Sequence, residues 1–220
     1  MTSAAIDGTQ TREWLDRFAE SVYATQAELT ALDQQAGDGD FGTNLAAGVR
    51  AARRLLDTEE GRSGPAGALG ALASAFLDEI GGTSGPLFGL LFQALSRAAG
   101  PGPGLRTGAL AEGAAEGLAA IRRVGDAAPG DKTLVDALAP AAEALRAAGG
   151  APPAEALASA ADGAWLGVRE TASLSARMGR ASYLGERATG VPDPGAVGIA
   201  LFFASSAGTV HTLGPELTAG

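Results

Sequence analysis

The chain has 220 residues and no cysteine, which excludes a disulfide framework, a thiolate metal centre and a thiol nucleophile. Its single histidine, His211, lies near the C-terminus and is read as packed or exposed, without a chemical role. Isoleucine and valine together number only 12, so residues that favour strands are scarce. No run of Lys or Arg occurs anywhere, and 16 basic residues stand against 25 acidic ones for a net charge of −9. That balance argues against nucleic acid or an anionic membrane surface as partner. The longest apolar run, 196–204, contains Gly198 and is far shorter than the ~20 residues that span a bilayer. The N-terminus MTSAAIDGTQTREW also lacks the basic and apolar regions of a secretory signal. A soluble cytoplasmic protein is expected.

Alanine and leucine, by contrast, are abundant, and 46% of the chain is hydrophobic. This is an all-α composition with enough apolar surface for one substantial core, taken as a single domain over 1–220. Trp14, Phe18, Val22, Leu29 and Leu32 recur at helical spacing behind Thr11 as N-cap, which predicts a helix over 12–32. The same rules place helices over 43–57, 65–80, 86–99, 106–124, 133–148, 153–177 and 194–212. Pro65, Pro86 and Pro194 are assigned to first turns and Asp193 to the last cap. Glycines inside these helices, Gly48, Gly113 and Gly117, each cost ~1 kcal/mol against alanine; close helix packing is their expected reason.

Eight helices on short connections make antiparallel neighbours, so successive connections alternate between the two ends of the bundle. Connections two, four and six read TEEGRSG, GPGPG and GGAPP, flexible punctuation with little chemistry. Connections one, three, five and seven read AGDGDFG, GGTSG, GDAAPGDK and GRASYLGERATGVPD. Every chemically dense connection thus falls at one end.

Asp33, Asp38 and Asp40 put three carboxylates within eight residues among glycines. Like charges this close repel unless a cation or proton lies between them, and such oxygen clusters suit Ca²⁺ or Mg²⁺. The spacing is not that of an EF-hand. The GGTSGP segment over 81–86 leads directly into a helix, so its N–H groups and the Thr83 and Ser84 hydroxyls lie at a positive helix end, where phosphate binds. GTSGP is not a nucleophile elbow, and no strand precedes it. GDAAPGDKT over 125–133 approaches a Walker A motif but carries Asp131 between the second glycine and Lys132, again with no preceding strand. A P-loop is rejected; Lys132 is read as the solvated lysine of a capped turn, and the helix start near Thr133 as facing an anion. The seventh connection adds Arg180, suited to a phosphate oxygen, with Glu186, Arg187 and the Asp193-Pro194-Gly195 helix start. Together these parts describe a metal–phosphate site, most plausibly for a nucleotide.

The blocks LDQQAGDGDFGTNLAAGV, GGTSGPLFG, PGDKTLVDAL and GRASYLGERATGVPDPGA resemble, in order, the nucleotide-binding L subunit of bacterial dihydroxyacetone kinase. The resemblance implies a closed up-and-down barrel of eight antiparallel helices with the nucleotide at one end. It implies Mg²⁺ held by Asp33, Asp38 and Asp40 against ADP or ATP. Nucleotide contacts would come from Phe41, Gly42, Thr43 and Asn44, from Thr83 and Ser84, from Gly125 and Leu134, from Arg180, and from Asp193, Pro194 and Gly195. No residue is assigned a catalytic role beyond metal ligation.

In that family a partner subunit carries dihydroxyacetone on a histidine, and a chain of this length resembles the variant in which retained ADP is recharged by a phosphohistidine donor protein of the phosphotransferase system. Leu87 and Phe88 are read as an exposed apolar rim that docks the partner; of self-association the sequence says little. One departure stands out: Phe41 occupies the place of the family's usual His, which removes a polar side-chain contact to the nucleotide. The DGDFGTN block also resembles the DGDTGTN of fatty acid kinases, and a non-catalytic, nucleotide-binding regulator is a third reading.

Overall fold

A computed structural model of the chain describes residues 4–178 and 189–218. Eight long helices follow one another: α1 (Gly8–Ala36), α2 (Phe41–Leu56), α3 (Pro65–Asp78), α4 (Ser84–Ala99), α5 (Thr107–Gly125), α6 (Leu134–Ala148), α7 (Pro153–Thr171) and α8 (Pro194–Ala204). A short α9 (Gly214–Thr218) ends the described chain. Each long helix packs on its neighbours in sequence, and α8 returns against α1, so the ring closes into the expected all-α barrel. Besides α9, the described residues add a pair of two-residue strands, β1 (Ile6–Asp7) and β2 (Gly104–Leu105), antiparallel at the end where connections two and four lie. No helix among the described residues is long and apolar enough to cross a membrane.

The barrel is filled, not hollow. All seven phenylalanines are buried, and their rings run in contact from Phe41 through Phe88, Phe76, Phe92 and Phe202 to Trp14. The Trp14 indole N–H donates to the Phe202 carbonyl at 2.7 Å, which satisfies the one polar group of that stack. α8 is apolar on all faces because every face is covered: Val197, Ile199, Leu201, Phe202 and Phe203 are fully buried.

Glycines let the helices approach. A Cβ on Gly48 would lie 2.5 Å from the Phe76 ring, and one on Gly113 or Gly117 would strike Leu95 or Leu91, so the packing reading of these residues holds. Gly163 is equally tight, with a Cβ placed 2.9 Å from the Pro140 carbonyl of α6.

The largest departures from the expected helix boundaries have physical reasons. α1 starts at Gly8 because Asp7 and Gln10 form a reciprocal capping box; Thr11, the expected cap, instead donates to the Asp7 carbonyl at 2.7 Å from inside the helix. α7 ends at Thr171 and not 177, since the Thr171 carbonyl is taken by the Lys132 ammonium and that of Ala172 by the Gly190 N–H. α8 ends at Ala204 and not 212, since Arg17 on α1 captures the carbonyls of Ser205 and Ser206 at 2.9 and 2.7 Å, and Ser21 accepts the Val210 N–H. α4 begins two residues before Pro86, at Ser84.

Candidate active site

Connections one, three and five converge, and the described ends of connection seven meet them. One cleft is lined by Asp33, Gly37, Asp38 and Asp40, by Gly81 through Ser84, by Gly125, Ala127, Lys132 and Thr133, and by Met178 and Asp193. Phe41, Leu87, Ile121, Leu134 and Val135 supply its apolar surface. Its volume of about 240 Å³ compares with the roughly 10–15 Å³ that one ordered water needs on the same measure. The space fits a small-molecule ligand.

At one side stand the three carboxylates, with one oxygen from each lying within 4.8 Å of the other two. Asp33 projects from the last turn of α1 and is nearly buried; its Oδ2 accepts the Phe41 N–H at 2.9 Å. Gly37 closes α1 through its N–H to the Asp33 carbonyl, and Gly39, at φ +81°, turns the chain in a conformation that favours glycine. Asp40 precedes α2 but makes no side-chain cap bond, so its carboxylate is not spent on the helix it begins.

Because even-numbered helices all start at this end, the N-termini of α2, α4, α6 and α8 border the same cleft. Each carries a positive partial charge near half an elementary charge. Two are occupied internally. Thr133 and Asp136 form a capping box on α6, where Asp136 also accepts the Gly130 N–H at 2.5 Å, and Asp193 caps α8 by accepting the Ala196 N–H at 2.7 Å. The start of α4 has no side-chain cap, and above Gly81 and Gly82 lies open space. A glycine-rich, uncapped helix start is built for an anion.

Two further ionisable groups complete the site. Burial pushes the Asp193 carboxyl up to about 7; the Ala196 hydrogen bond and the Lys132 charge oppose the shift, while Asp136 and Asp33 add to it. Lys132 is not the solvated lysine expected. It is 1% exposed, and its ammonium donates to the carbonyls of Thr171 at 2.5 Å and Val191 at 2.7 Å. Desolvation holds its pKa below the ordinary value, against the raising influence of Asp193 and Asp136. Its backbone adopts φ +60°, a left-handed conformation that costs a non-glycine residue on the order of 1–2 kcal/mol.

Residues 35–208 match the DAK2 domain. The chain belongs to the DAK2 domain family. Among its relatives is the PEP-dependent dihydroxyacetone kinase ADP-binding subunit DhaL of Escherichia coli, 35% identical over 205 residues, covering 89% of this chain and 93% of the relative. The L-erythrulose 1-kinase of Mycolicibacterium smegmatis is 37% identical over 205 residues, or 93% of this chain and 35% of that protein. A solved structure of the C. freundii dihydroxyacetone kinase in complex with AMP-PNP and Mg²⁺ superposes with a TM-score of 0.67 at 27% identity over 93% of this chain and 34% of that one. The chain thus spans about a third of the erythrulose kinase and nearly all of the E. coli subunit.

In this DAK2 domain the structure brings together Asp33, Asp38, Asp40, Phe41, Asn44, Thr83, Ser84, Gly125, Leu134, Asp193, Pro194 and Gly195, all of which border the cleft. It does not bring in Gly42 and Thr43. A Cβ on Gly42 would lie 2.5 Å from the Gln26 carbonyl and the Thr30 hydroxyl, so Gly42 serves the contact of α2 with α1, and Thr43 is exposed. Gly195 admits a similar approach, between Asp193 and Leu134. Arg180, Glu186 and Arg187 lie outside the described residues. Phe88, expected on the rim, is fully buried in the aromatic stack, and only Leu87 reaches the cleft. His211 is exposed. The residues missed from sequence are Lys132, in its buried role, and Asp136; the Thr133-x-x-Asp136 spacing was a readable capping signal.

Proposed function

We propose that this DAK2 domain is the Mg²⁺- and ADP- or ATP-binding subunit of a ketose kinase, presenting a phosphoryl group to dihydroxyacetone held on a partner subunit. The observation that carries the reading is the presence, in one cleft, of three carboxylates within 4.8 Å and an uncapped glycine-rich helix start. Octahedral Mg²⁺ wants oxygens at about 2.1 Å, hence about 3.0–4.2 Å from each other, so small side-chain rotations close the triad onto an ion. Asp33, Asp38 and Asp40 are then metal ligands, not general bases. Bound Mg²⁺ supplies neutralisation of phosphate oxygens as charge develops on them.

The chain's own residues do the positioning. The N–H groups at Thr83 and Ser84 donate to phosphate oxygens, and Phe41, Asn44, Gly125, Leu134, Arg180 and the Asp193 to Gly195 helix start complete the nucleotide site. Phe41 has no polar side-chain atom to offer. Its N–H orients Asp33, and its ring, 6% exposed and 6.2 Å from Phe88, forms an apolar floor that excludes water. The relatives that this chain covers to 93% of their length are named ADP-binding subunits of PEP- or PTS-dependent kinases, which supports retained ADP recharged by a phosphohistidine donor. Identities of 37% and 39% to erythrulose kinases favour erythrulose as the second substrate reading.

Two experiments test this. In a complex reconstituted with a ketose-binding subunit, Asp38→Ala or Asp40→Ala is expected to abolish phosphorylation of dihydroxyacetone and erythrulose alike while helicity stays intact; unchanged turnover overturns the proposal. Denaturing the purified protein and identifying what it releases decides the donor: stoichiometric ADP, freed by chelator, supports the retained coenzyme, and an empty, ATP-binding protein supports direct use of ATP.

A further inference from the structure

We infer that Lys132 is a positioning residue whose ammonium staples the two ends of the α7–α8 connection and so sets the place of Asp193 and the α8 start in the cleft. The chain leaves α7 at Thr171 and re-enters the barrel at Val191, and Nζ of Lys132 holds the carbonyl of each, at 2.5 and 2.7 Å. Two more bonds cross between the same ends: the Asp193 N–H donates to the Thr171 hydroxyl at 2.9 Å, and the Gly190 N–H to the Ala172 carbonyl at 2.7 Å. Lys132 reaches them from a different connection, 39 residues before Thr171 and 59 before Val191.

Lysine fits this task for chemical reasons. An ammonium carries three donors and no acceptor, so it can bind several carbonyls at once, and its four-carbon stem reaches them from a neighbouring loop. A lysine in a surface connection ordinarily extends its charge into water. Here the side chain turns inward at φ +60° and is 1% exposed, an arrangement that persists only where the surroundings hold it. The carboxylates of Asp193 and Asp136 lie near enough to offset the buried charge.

The staple itself stands on geometry; its effect on ligand rests on the nucleotide reading above. Lys132→Met keeps the stem and removes every donor. Hydrogen exchange of the full chain without nucleotide should show the Gly190 and Asp193 amides exchanging about tenfold faster or more, the loss expected when bonds to a charged donor are removed, with the amides of α3 and α4 unchanged. Calorimetric titration with Mg²⁺–ADP should show a Kd raised about tenfold or more. Unchanged exchange at Gly190 and Asp193, or an increase shared by α3 and α4, overturns the proposal. If Lys132→Met does not fold, Lys132→Gln, which keeps a donor on a shorter stem, should show the same local pattern at smaller size, and a uniform increase in it overturns the proposal equally. If wild-type protein fails to bind Mg²⁺–ADP, the functional reading falls while the exchange result still decides the staple.

Discussion

Replacing Asp193 by asparagine should make the nucleotide-free protein more stable at alkaline pH and leave it nearly unchanged in acid. The carboxyl titrates near 7 in the folded chain against 3.8 for the ordinary group, chiefly because burial penalises its charged form. Between those values the folded state holds a proton that the unfolded chain releases, so stability falls as pH rises. The contribution of the protonated group is full below about pH 4 and is lost as pH rises through about 7. Across the whole interval this is about 4 kcal/mol, and from about pH 5 to pH 7 it is about 3 kcal/mol, at 1.36 kcal/mol per unit. Asparagine retains the oxygen that accepts the Ala196 N–H and is a good N-cap, so the variant isolates the charge. Scanning calorimetry in chelator should show the Tm advantage of Asp193→Asn growing by roughly 6–12 °C between about pH 5 and pH 8, given about 2–4 °C per kcal/mol for a chain of this size. Parallel pH profiles for the two proteins would refute the assignment of a desolvated carboxyl at the start of α8.

Two other outcomes follow from the geometry. Gly42→Ala places a methyl 2.5 Å from the Gln26 carbonyl and the Thr30 hydroxyl and should cost about 1–3 kcal/mol of stability in urea denaturation, as overpacking does elsewhere. Mg²⁺ at about 100 times its Kd should stabilise the wild type by about 2.7 kcal/mol, an effect lost on adding chelator and missing in Asp33→Asn or Asp40→Asn, read as thermal shifts.

Much of this arrangement was legible from residue order, because the parity of connections in an up-and-down barrel is a counting argument. The Asp33-Asp38-Asp40 triplet and the Gly81 to Ser84 helix start could be assigned to one end before any coordinate was known. Helix periods placed each barrel helix, and Gly48, Gly113 and Gly117 marked close packing correctly. What escaped were features set by partners remote in sequence. The ends of α7 and α8 depend on Lys132 and Arg17, which intercept carbonyls that helical continuation would have used. Periodicity over 153–177 and 194–212 contains no trace of those donors. Lys132 itself, flanked by Asp131 and Thr133, has the local context of a surface turn, and its burial is visible only when Thr171 and Val191 are brought beside it. The start of α1 differs in kind, since the Asp7–Gln10 capping box is local and legible in the sequence, and Thr11 offers a competing cap four residues later.

The segregation of chemistry to one end of the barrel makes the opposite end a ready attachment point. With no native cysteine in the chain, a single thiol introduced at Glu60 or Gly102, both exposed on connections away from the cleft, would take a fluorophore at one defined position. The label would sit beyond the far mouth of a barrel whose interior is packed with rings. Its rotational diffusion would then report the assembly of a larger complex without obstructing the mouth through which ligand enters.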